Sequence, residues 1–139
     1  TWAPTNITYG HNNRSAQFRL PQNRFCIENR AADMCMNVYI SLAMTLAASI
    51  DGIINQIDPG APTDVDLYAL SEVEVKDMGI RRLPRNLLAA TEALGEDDIA
   101  EKVMGITMRR SYMAYKADEW ERYHQAVTDW EVQEYLRLY

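Results

Sequence analysis

Alternating apolar and polar positions predict a β-hairpin early in the chain. The alternation runs from Ser15 to Leu20 and resumes from Phe25 to Arg30, after a Pro-Gln-Asn turn. A period of two is typical of a half-buried strand, and Pro and Asn favour turns. We therefore predict that roughly residues 15–20 pair with residues 25–30.

A second apolar pattern predicts a long buried helix from about Asn37 to Ile57. Its large apolar residues recur at spacings of three and four. They are Tyr39, Leu42, Ala43, Leu46, Ile50, Ile53, Ile54 and Ile57. Other apolar residues lie on the opposite side, so we expect this helix to be buried nearly all round and to form the core. Interspersed polar residues argue against a membrane span, and the Pro- and Gly-containing segment 58–63 ends the helix.

Capping signals predict two shorter helices downstream. Ser71 and Glu74 have the spacing of a capping box, and the helix that they open is predicted to close at Gly79. Thr128 and Glu131 form a second capping box, which starts the last helix.

Two more helices are predicted between these. One starts at Pro84 and ends at Gly95, and the other follows the acidic residues 96–98 and reaches His124, with a break at Gly105. The predicted fold class is α+β: an antiparallel β-hairpin followed by about five helices. We expect one piece, with β structure over residues 1–32 and mainly helix over residues 33–139.

Composition restricts the classes of function. The net charge of −6 argues against general binding to nucleic acid or to an anionic membrane, since both require a positive field. Cys26 and Cys35 lack zinc-ligand or redox spacing, and the first twenty residues lack a signal peptide, so a cytoplasmic location is expected. Because the chain opens on Thr1, we expect that it continues from an upstream segment.

Charge is distributed unevenly along the chain. The first thirty residues carry Arg14, Arg19, Arg24 and Arg30 against the single acid Glu28, a net +3, so the remainder carries −9. Arginine suits bidentate recognition of phosphate or carboxylate. A strand would place Glu28 and Arg30 on one face, where the carboxylate could bind Mg²⁺ or Mn²⁺ and the guanidinium a phosphate. An ordinary cross-strand ion pair is the alternative interpretation.

Other candidate residues carry less chemistry. His11 and His124 are typical of exposed histidines, and Arg81-Arg82 is typical of a solvated loop. The sequence contains no G-x-S-x-G, Walker, H-E-x-x-H or G-x-G-x-x-G motif, which excludes the common hydrolase and nucleotide-binding signatures.

Several ordered motifs resemble the glutamine synthetase family over essentially the whole chain. The run N-R-S-A-Q-F-R-L-P is similar to the family's arginine-bearing strand, and E-N-R with Asp33, Asn37 and Tyr39 is similar to its metal-and-phosphate strand and the following helix. In order along the chain these motifs lie at residues 13–21, 28–30, 50–53 (I-D-G-I), 58–60 (D-P-G) and 127–131 (V-T-D-W-E). The resemblance is to the carboxyl-terminal part of the catalytic domain.

The resemblance implies an ATP-dependent ligase that forms a γ-glutamyl amide from glutamate and an amine through γ-glutamyl phosphate. It implies that Arg14 and Arg19 bind ATP and the transferring phosphate, that Arg30 holds the γ-phosphoryl group, and that Glu28 is one ligand of Mg²⁺ or Mn²⁺. Arg14 and Arg30 are then the catalytic residues.

Two positions depart from the family pattern. Val38 replaces a usual proline at a helix start, with little expected consequence. Trp2 precedes Ala-Pro on the expected substrate flap, where ammonia-using members carry a glutamate. An indole packs against carbon and cannot accept a proton, so the change resembles the γ-glutamylmethylamide synthetase and type III-like branch. Methylamine or another alkylamine is therefore the expected substrate.

Alternatives stay open at the level of sequence. They are an ammonia-using glutamine synthetase, a non-catalytic structural module of the same fold, and a bare phosphate-binding domain. The resemblance also implies that the remaining metal and glutamate ligands come from an upstream domain and from neighbouring subunits of a homo-oligomeric ring. Residues 1–139 alone are therefore expected to be inactive.

Overall fold

The structure is a computed structural model that describes residues 3–136 and 138, and it divides into two compact units at the boundary between Arg85 and Asn86. Among the described residues, the first unit contains five short strands, two α-helices and a 3₁₀ turn, and the second contains three α-helices. The first unit's elements are β1 (Asn6–Ile7), β2 (Tyr9–His11), β3 (Phe18–Leu20), β4 (Glu28–Asn29), α1 (Val38–Ile54), the 3₁₀ turn (Leu67–Ala69), α2 (Glu72–Asp77) and β5 (Arg81–Arg82). The second unit's are α3 (Leu87–Glu96), α4 (Asp98–His124) and α5 (Asp129–Tyr135).

The predicted hairpin is present with shorter strands. β3 pairs antiparallel with β4, which places Phe18 opposite Asn29 and Arg19 opposite Glu28. The sheet also contains β2, which runs parallel to β3, and a separate pair joins β1 to β5 antiparallel. These two pairings were not predicted, because strands of two or three residues are too short for a pattern of alternation to identify.

Helix α1 forms close to the predicted bounds. The Asn37 side chain accepts hydrogen bonds from the N–H groups of Tyr39 and Ile40, which caps its first turn. The helix ends at Ile54, before the predicted Ile57, because Gln56 takes a left-handed φ of 50° and the Ile57 N–H bonds to the Gly52 carbonyl at 2.9 Å. This is the Schellman pattern of a helix end.

The predicted burial of α1 is wrong for the part of the chain that is described. None of its residues is buried, and Leu42, Leu46 and Ile53 are 67%, 59% and 77% exposed. Periodicity identifies an apolar helix face, but it does not say whether this chain supplies the atoms that cover the face. Over residues 3–136 and 138, no helix has both the length and the apolar character needed to cross a membrane.

The core of the first unit is small and lies beside the β2–β3 connection. Ala16 is fully buried, and Ser15, Thr63, Leu67 and Val75 are each less than 10% exposed. Residues 60–67, which follow α1, lie against β2 at this point.

The helices after α1 follow the predicted caps. Both capping boxes form, at Ser71 with Glu74 and at Thr128 with Glu131. Gly105 has a φ of 71°, which interrupts α4 at the predicted break.

The predicted bounds of α3 were shifted. It begins after Asn86, whose side chain accepts a hydrogen bond from the Ala89 N–H at 2.8 Å, and it continues through Gly95 to Glu96. A side-chain cap therefore sets the start of this helix, and Pro84 precedes it.

Candidate active site

The β3–β4 register brings Arg19 and Glu28 together as a cross-strand ion pair. Arg19 Nη1 lies 3.0 Å from Glu28 Oε2, and the two side chains are 15% and 23% exposed. Arg24, in the connection between the strands, donates to the other carboxylate oxygen of Glu28. One acidic side chain is therefore shared by two guanidinium groups.

This arrangement controls the protonation of Glu28. The hydrogen bond from Arg19, with a further one from Arg24, holds the pKa of the Glu28 carboxyl below its usual value, against the opposing effect of burial. Glu28 is thus stabilised as a carboxylate, which is the form that can accept hydrogen bonds or ligate a cation.

Arg14 and Arg30 form a second contact in the same region. The Arg30 Nε donates to the Arg14 carbonyl oxygen at 2.9 Å, and the Arg30 N–H extends the β3–β4 ladder by bonding to the Gln17 carbonyl at 2.8 Å. The Arg14 guanidinium is exposed and makes no ion pair or side-chain hydrogen bond within the described residues.

The five charged residues predicted from sequence thus lie in two contact groups on adjoining segments. One group is Arg19, Glu28 and Arg24, and the other is Arg14 and Arg30. The cross-strand ion pair, which was the alternative interpretation of the sequence, does form between Arg19 and Glu28. Arg14 takes no part in it. The predicted flap residue Trp2 lies outside the described residues.

These five residues, which we call the arginine cluster, have hydrogen-bond donors left over for an anion. Arg14 offers a whole guanidinium, and Arg19 Nε is a buried donor without a hydrogen-bond partner in the described chain. Guanidinium donors of this kind bind phosphate and carboxylate oxygens well, so the side chains present fit a phosphate-bearing ligand.

The same residues do not form a complete site for a divalent metal ion. Mg²⁺ requires about six oxygen ligands. Across residues 3–136 and 138, no group of three His, Cys, Asp or Glu side chains converges on one point. Glu28 is the one acidic side chain of this group, so the other ligands would have to come from elsewhere.

Sequence reasoning missed the role of the asparagines beside Arg14. Asn12 has a φ of 53° and its side-chain oxygen accepts a hydrogen bond from Arg19 Nη2. Asn tolerates this left-handed conformation better than most residues, but nothing in the sequence says which side chain it would contact.

Two of the remaining candidates, His11 and Arg82, form surface ion pairs. His11 Nδ1 lies 3.2 Å from Asp64 Oδ2 with both side chains half exposed. Arg82 Nη1 lies 2.6 Å from Glu72 Oε1 beside β5. Neither pair adjoins the arginine cluster through a described hydrogen bond.

Known proteins resemble this chain throughout its length. The family described as glutamine synthetase, catalytic domain, matches residues 1–135. A glutamate–methylamine ligase from Methyloversatilis universalis is 40% identical over 139 residues, which cover the whole chain and 31% of that protein. A glutamine synthetase from Methanocaldococcus jannaschii is 39% identical over 137 residues, or 96% of the chain and 30% of that protein.

The fold is similar as well. The solved structure of apo GmaS without ligand superimposes with a TM-score of 0.79 at 36% identity, covering 96% of this chain and 30% of that one. The chain therefore spans about a third of the length of the relatives that it matches. Because the family match extends from residue 1 to residue 135 and relatives exceed 30% identity, this chain belongs to the glutamine synthetase catalytic-domain family.

Proposed function

We propose that the chain is part of an ATP-dependent ligase that joins the γ-carboxylate of glutamate to an amine. The observation that carries this proposal is the arginine cluster of the β2–β4 region in a chain of this family. It retains cationic donors around a single ionised carboxylate, in a protein that is otherwise strongly acidic. The names of the relatives, a glutamate–methylamine ligase and glutamine synthetases, support a ligase of this class.

In the proposed reaction, a γ-carboxylate oxygen of glutamate attacks the γ-phosphorus of ATP and ADP leaves. The amine nitrogen then attacks the acyl carbon of γ-glutamyl phosphate, inorganic phosphate leaves, and the amine loses a proton. Both steps place negative charge on phosphate oxygens. Fixed guanidinium groups stabilise such charge because they are already oriented when it develops.

We assign a role in that chemistry to each arginine of the cluster. Arg14 and Arg19 would bind the nucleotide and the transferring phosphate, and Arg30 would hold the γ-phosphoryl group. Arg30 is anchored by its hydrogen bond to the Arg14 carbonyl, so the position of the Arg30 side chain is linked to the backbone of Arg14.

Glu28 would supply one oxygen ligand to Mg²⁺ or Mn²⁺. Each carboxylate oxygen has about two acceptor sites, so a site remains on each oxygen beside its arginine donor. A divalent ion bound there would neutralise charge on the phosphates. Its other ligands would come from the rest of the protein or from neighbouring subunits of an oligomer.

The amine is proposed to be methylamine or another alkylamine. Trp2 supplies no carboxylate with which to attract ammonium, and an indole favours contact with an alkyl group. The 40% identity to a glutamate–methylamine ligase favours the same amine, whereas the 39% identity to a glutamine synthetase keeps ammonia as the second candidate.

The test is turnover by the full-length protein with ATP, glutamate, Mg²⁺ and either methylamine or ammonia. We expect a higher kcat/KM for methylamine. Equal or better use of ammonia at low concentration would contradict the choice of amine and leave the ligase assignment standing.

The same assay tests the ligase assignment through Arg30→Ala. Loss of a fixed donor to the transferring phosphate should lower kcat by about 10²- to 10³-fold. Arg81→Ala is the matched control, since Arg81 is an exposed arginine of the same unit outside the cluster. Similar activity of both variants would overturn the proposed role of the cluster, and absence of turnover in the unsubstituted protein would favour a non-catalytic module.

A further inference from the structure

The turn that carries Arg14 is held by a side chain with no unused hydrogen-bonding capacity. Asn13 Nδ2 donates to the carbonyl oxygens of Thr63 and Val65, at 2.7 and 2.8 Å. Asn13 Oδ1 accepts from the Ser15 N–H at 2.9 Å and from the Ser15 hydroxyl at 2.7 Å. An asparagine has two donors and about two acceptor sites, and all of them are occupied here.

Ser15 makes the matching contact on the other side of Arg14. Its side-chain oxygen accepts a hydrogen bond from the Leu67 N–H at 2.9 Å, and the residue is only 3% exposed. The residues immediately before and after Arg14 are therefore both bonded to residues 60–67, which we call the clamp segment.

The clamp segment is itself anchored to β2 and the residue before it. The Thr63 N–H bonds to the Tyr9 carbonyl at 2.7 Å, and the hydroxyl oxygens of Thr63 and Thr8 lie 2.7 Å apart. The approach at Gly10 is so close that a Cβ there would lie 2.1 Å from the Thr63 carbonyl oxygen.

A third anchor lies one residue further along β2. The Asp64 carboxylate accepts the His11 N–H at 2.7 Å. Backbone and side-chain contacts together thus fix where the clamp segment lies relative to β2.

The result is an exposed guanidinium on an immobilised backbone. Fixing the backbone of a residue costs conformational entropy, and here folding has already met that cost before any ligand arrives. Misplacing a binding group by about 1 Å can lower a reaction rate by about 10²-fold. Arg14 thus depends on the clamp segment for its placement even though its guanidinium makes no hydrogen bond to that segment within the described residues.

We propose that Asn13 is a positioning residue that acts through Arg14 on the binding of ATP phosphate. This inference rests on the proposed function, because it assumes that Arg14 binds the phosphate. It adds Asn13, and behind it residues 60–67, to the parts of the chain on which nucleotide affinity depends.

The experiment is a double-mutant cycle in the full-length protein, read by the equilibrium affinity for ATP with Mg²⁺. Asn13→Ala should weaken ATP binding by about 10- to 100-fold and raise KM for ATP more than KM for the amine. In the Arg14→Ala background the same change should weaken ATP binding by less than about twofold, since residues that act as a unit are not additive. A thermal scan of each variant confirms that the protein measured is folded.

Asn86→Ala is the matched control. Asn86 also uses its side-chain oxygen to hold a backbone N–H, that of Ala89, but it belongs to the second unit and makes no described hydrogen bond to the clamp segment. It should lower stability and leave ATP affinity within about twofold, because a helix cap acts on its own helix.

The outcomes separate the inference from the proposal beneath it. If Arg14→Ala leaves ATP affinity unchanged, the proposed role of Arg14 is wrong and the inference falls with it. If Arg14→Ala weakens binding but Asn13→Ala has the same effect in both backgrounds, Arg14 keeps its role and the positioning inference alone is overturned. The positioning inference is supported if the effects of Asn13→Ala and Arg14→Ala on ATP affinity are coupled and Asn86→Ala leaves ATP affinity within about twofold.

Discussion

Glu28 shows how a single residue takes its properties from the sheet register. The antiparallel pairing places Arg19 directly opposite, and the short connection returns Arg24 to the same carboxylate. The hydrogen bond from Arg19 is the largest of the effects that hold the pKa of Glu28 below its usual value. A carboxyl group with a lowered pKa stabilises the folded protein above its unfolded pKa, and this contribution is lost as the pH falls through the folded pKa.

We predict that Glu28→Gln destabilises the protein at neutral pH and has a diminishing effect in acid. Glutamine resembles the protonated carboxyl group, so the difference in unfolding free energy should shrink as the pH falls below about 4.3. Urea denaturation of both proteins at several pH values measures this. Glu121→Gln, at an exposed carboxylate without a bonded partner in the described chain, should show little difference at any pH. A constant penalty for Glu28→Gln from neutral to acid pH would contradict the prediction.

At the scale of elements, short polar segments hold the first unit together more than apolar packing does. The strands have only two or three residues, and β2 is secured by the clamp segment on one side and by β3 on the other. Gly10 is central to this arrangement, because the Thr63 carbonyl occupies the space that a side chain would need.

We expect Gly10→Ala to destabilise the protein by about 1–3 kcal/mol, since backbone must move to admit the new methyl group. Gly52→Ala is the matched control, because Gly52 lies within α1 and, apart from its chain neighbours and the backbone of its own helix, no described atom lies within 4 Å of the added Cβ. There the substitution should be neutral or stabilising by about 0.5–1 kcal/mol, as alanine favours a helix. Chemical denaturation distinguishes the two, and an equal effect of both substitutions would be the contrary result.

At the scale of the whole molecule, the chain presents surface that it does not cover. Leu42, Leu46 and Ile53 of α1 are more than half exposed, and the described residues bury only a small core. The chain also spans about a third of its relatives' length, and within its described part no three metal-ligating side chains converge, whereas a divalent ion needs several ligands.

We predict that residues 1–139 alone do not catalyse ATP-dependent γ-glutamyl transfer, whereas the full-length protein does. The physical reason is that the described residues of the isolated chain bring arginines together for the phosphate but bring no complete set of metal ligands together. The measurement is phosphate release and amide formation by both proteins at equal concentration. Turnover by the isolated chain would show that the missing ligands are not required.

Local features of this fold were predictable because their causes are local. Both capping boxes and the break at Gly105 depend on residues within a few positions of one another. The hairpin was predictable for the same reason, since a short connection brings its two strands together. The arginine cluster was predictable from the hairpin, because all four arginines of the first thirty residues lie on it or beside it.

The contacts between distant segments were not predictable. No pattern in the sequence links Asn13 to Thr63 or β1 to β5, because such pairs depend on how the chain returns on itself. The exposure of α1 could not be predicted from the sequence either, since periodicity shows which face of a helix is apolar but not what covers that face.

The sequence by itself therefore determined the hairpin, the helices, the two capping boxes, the family and the charge types of the candidate site. Only the tertiary structure decided that Glu28 is shared by Arg19 and Arg24. It also decided that the residues on either side of Arg14 are bonded to the clamp segment, while the Arg14 guanidinium itself stays exposed. The reason is that helix caps and hairpins are set by interactions over a few residues. The placement of a binding group depends on hydrogen bonds between segments about fifty residues apart.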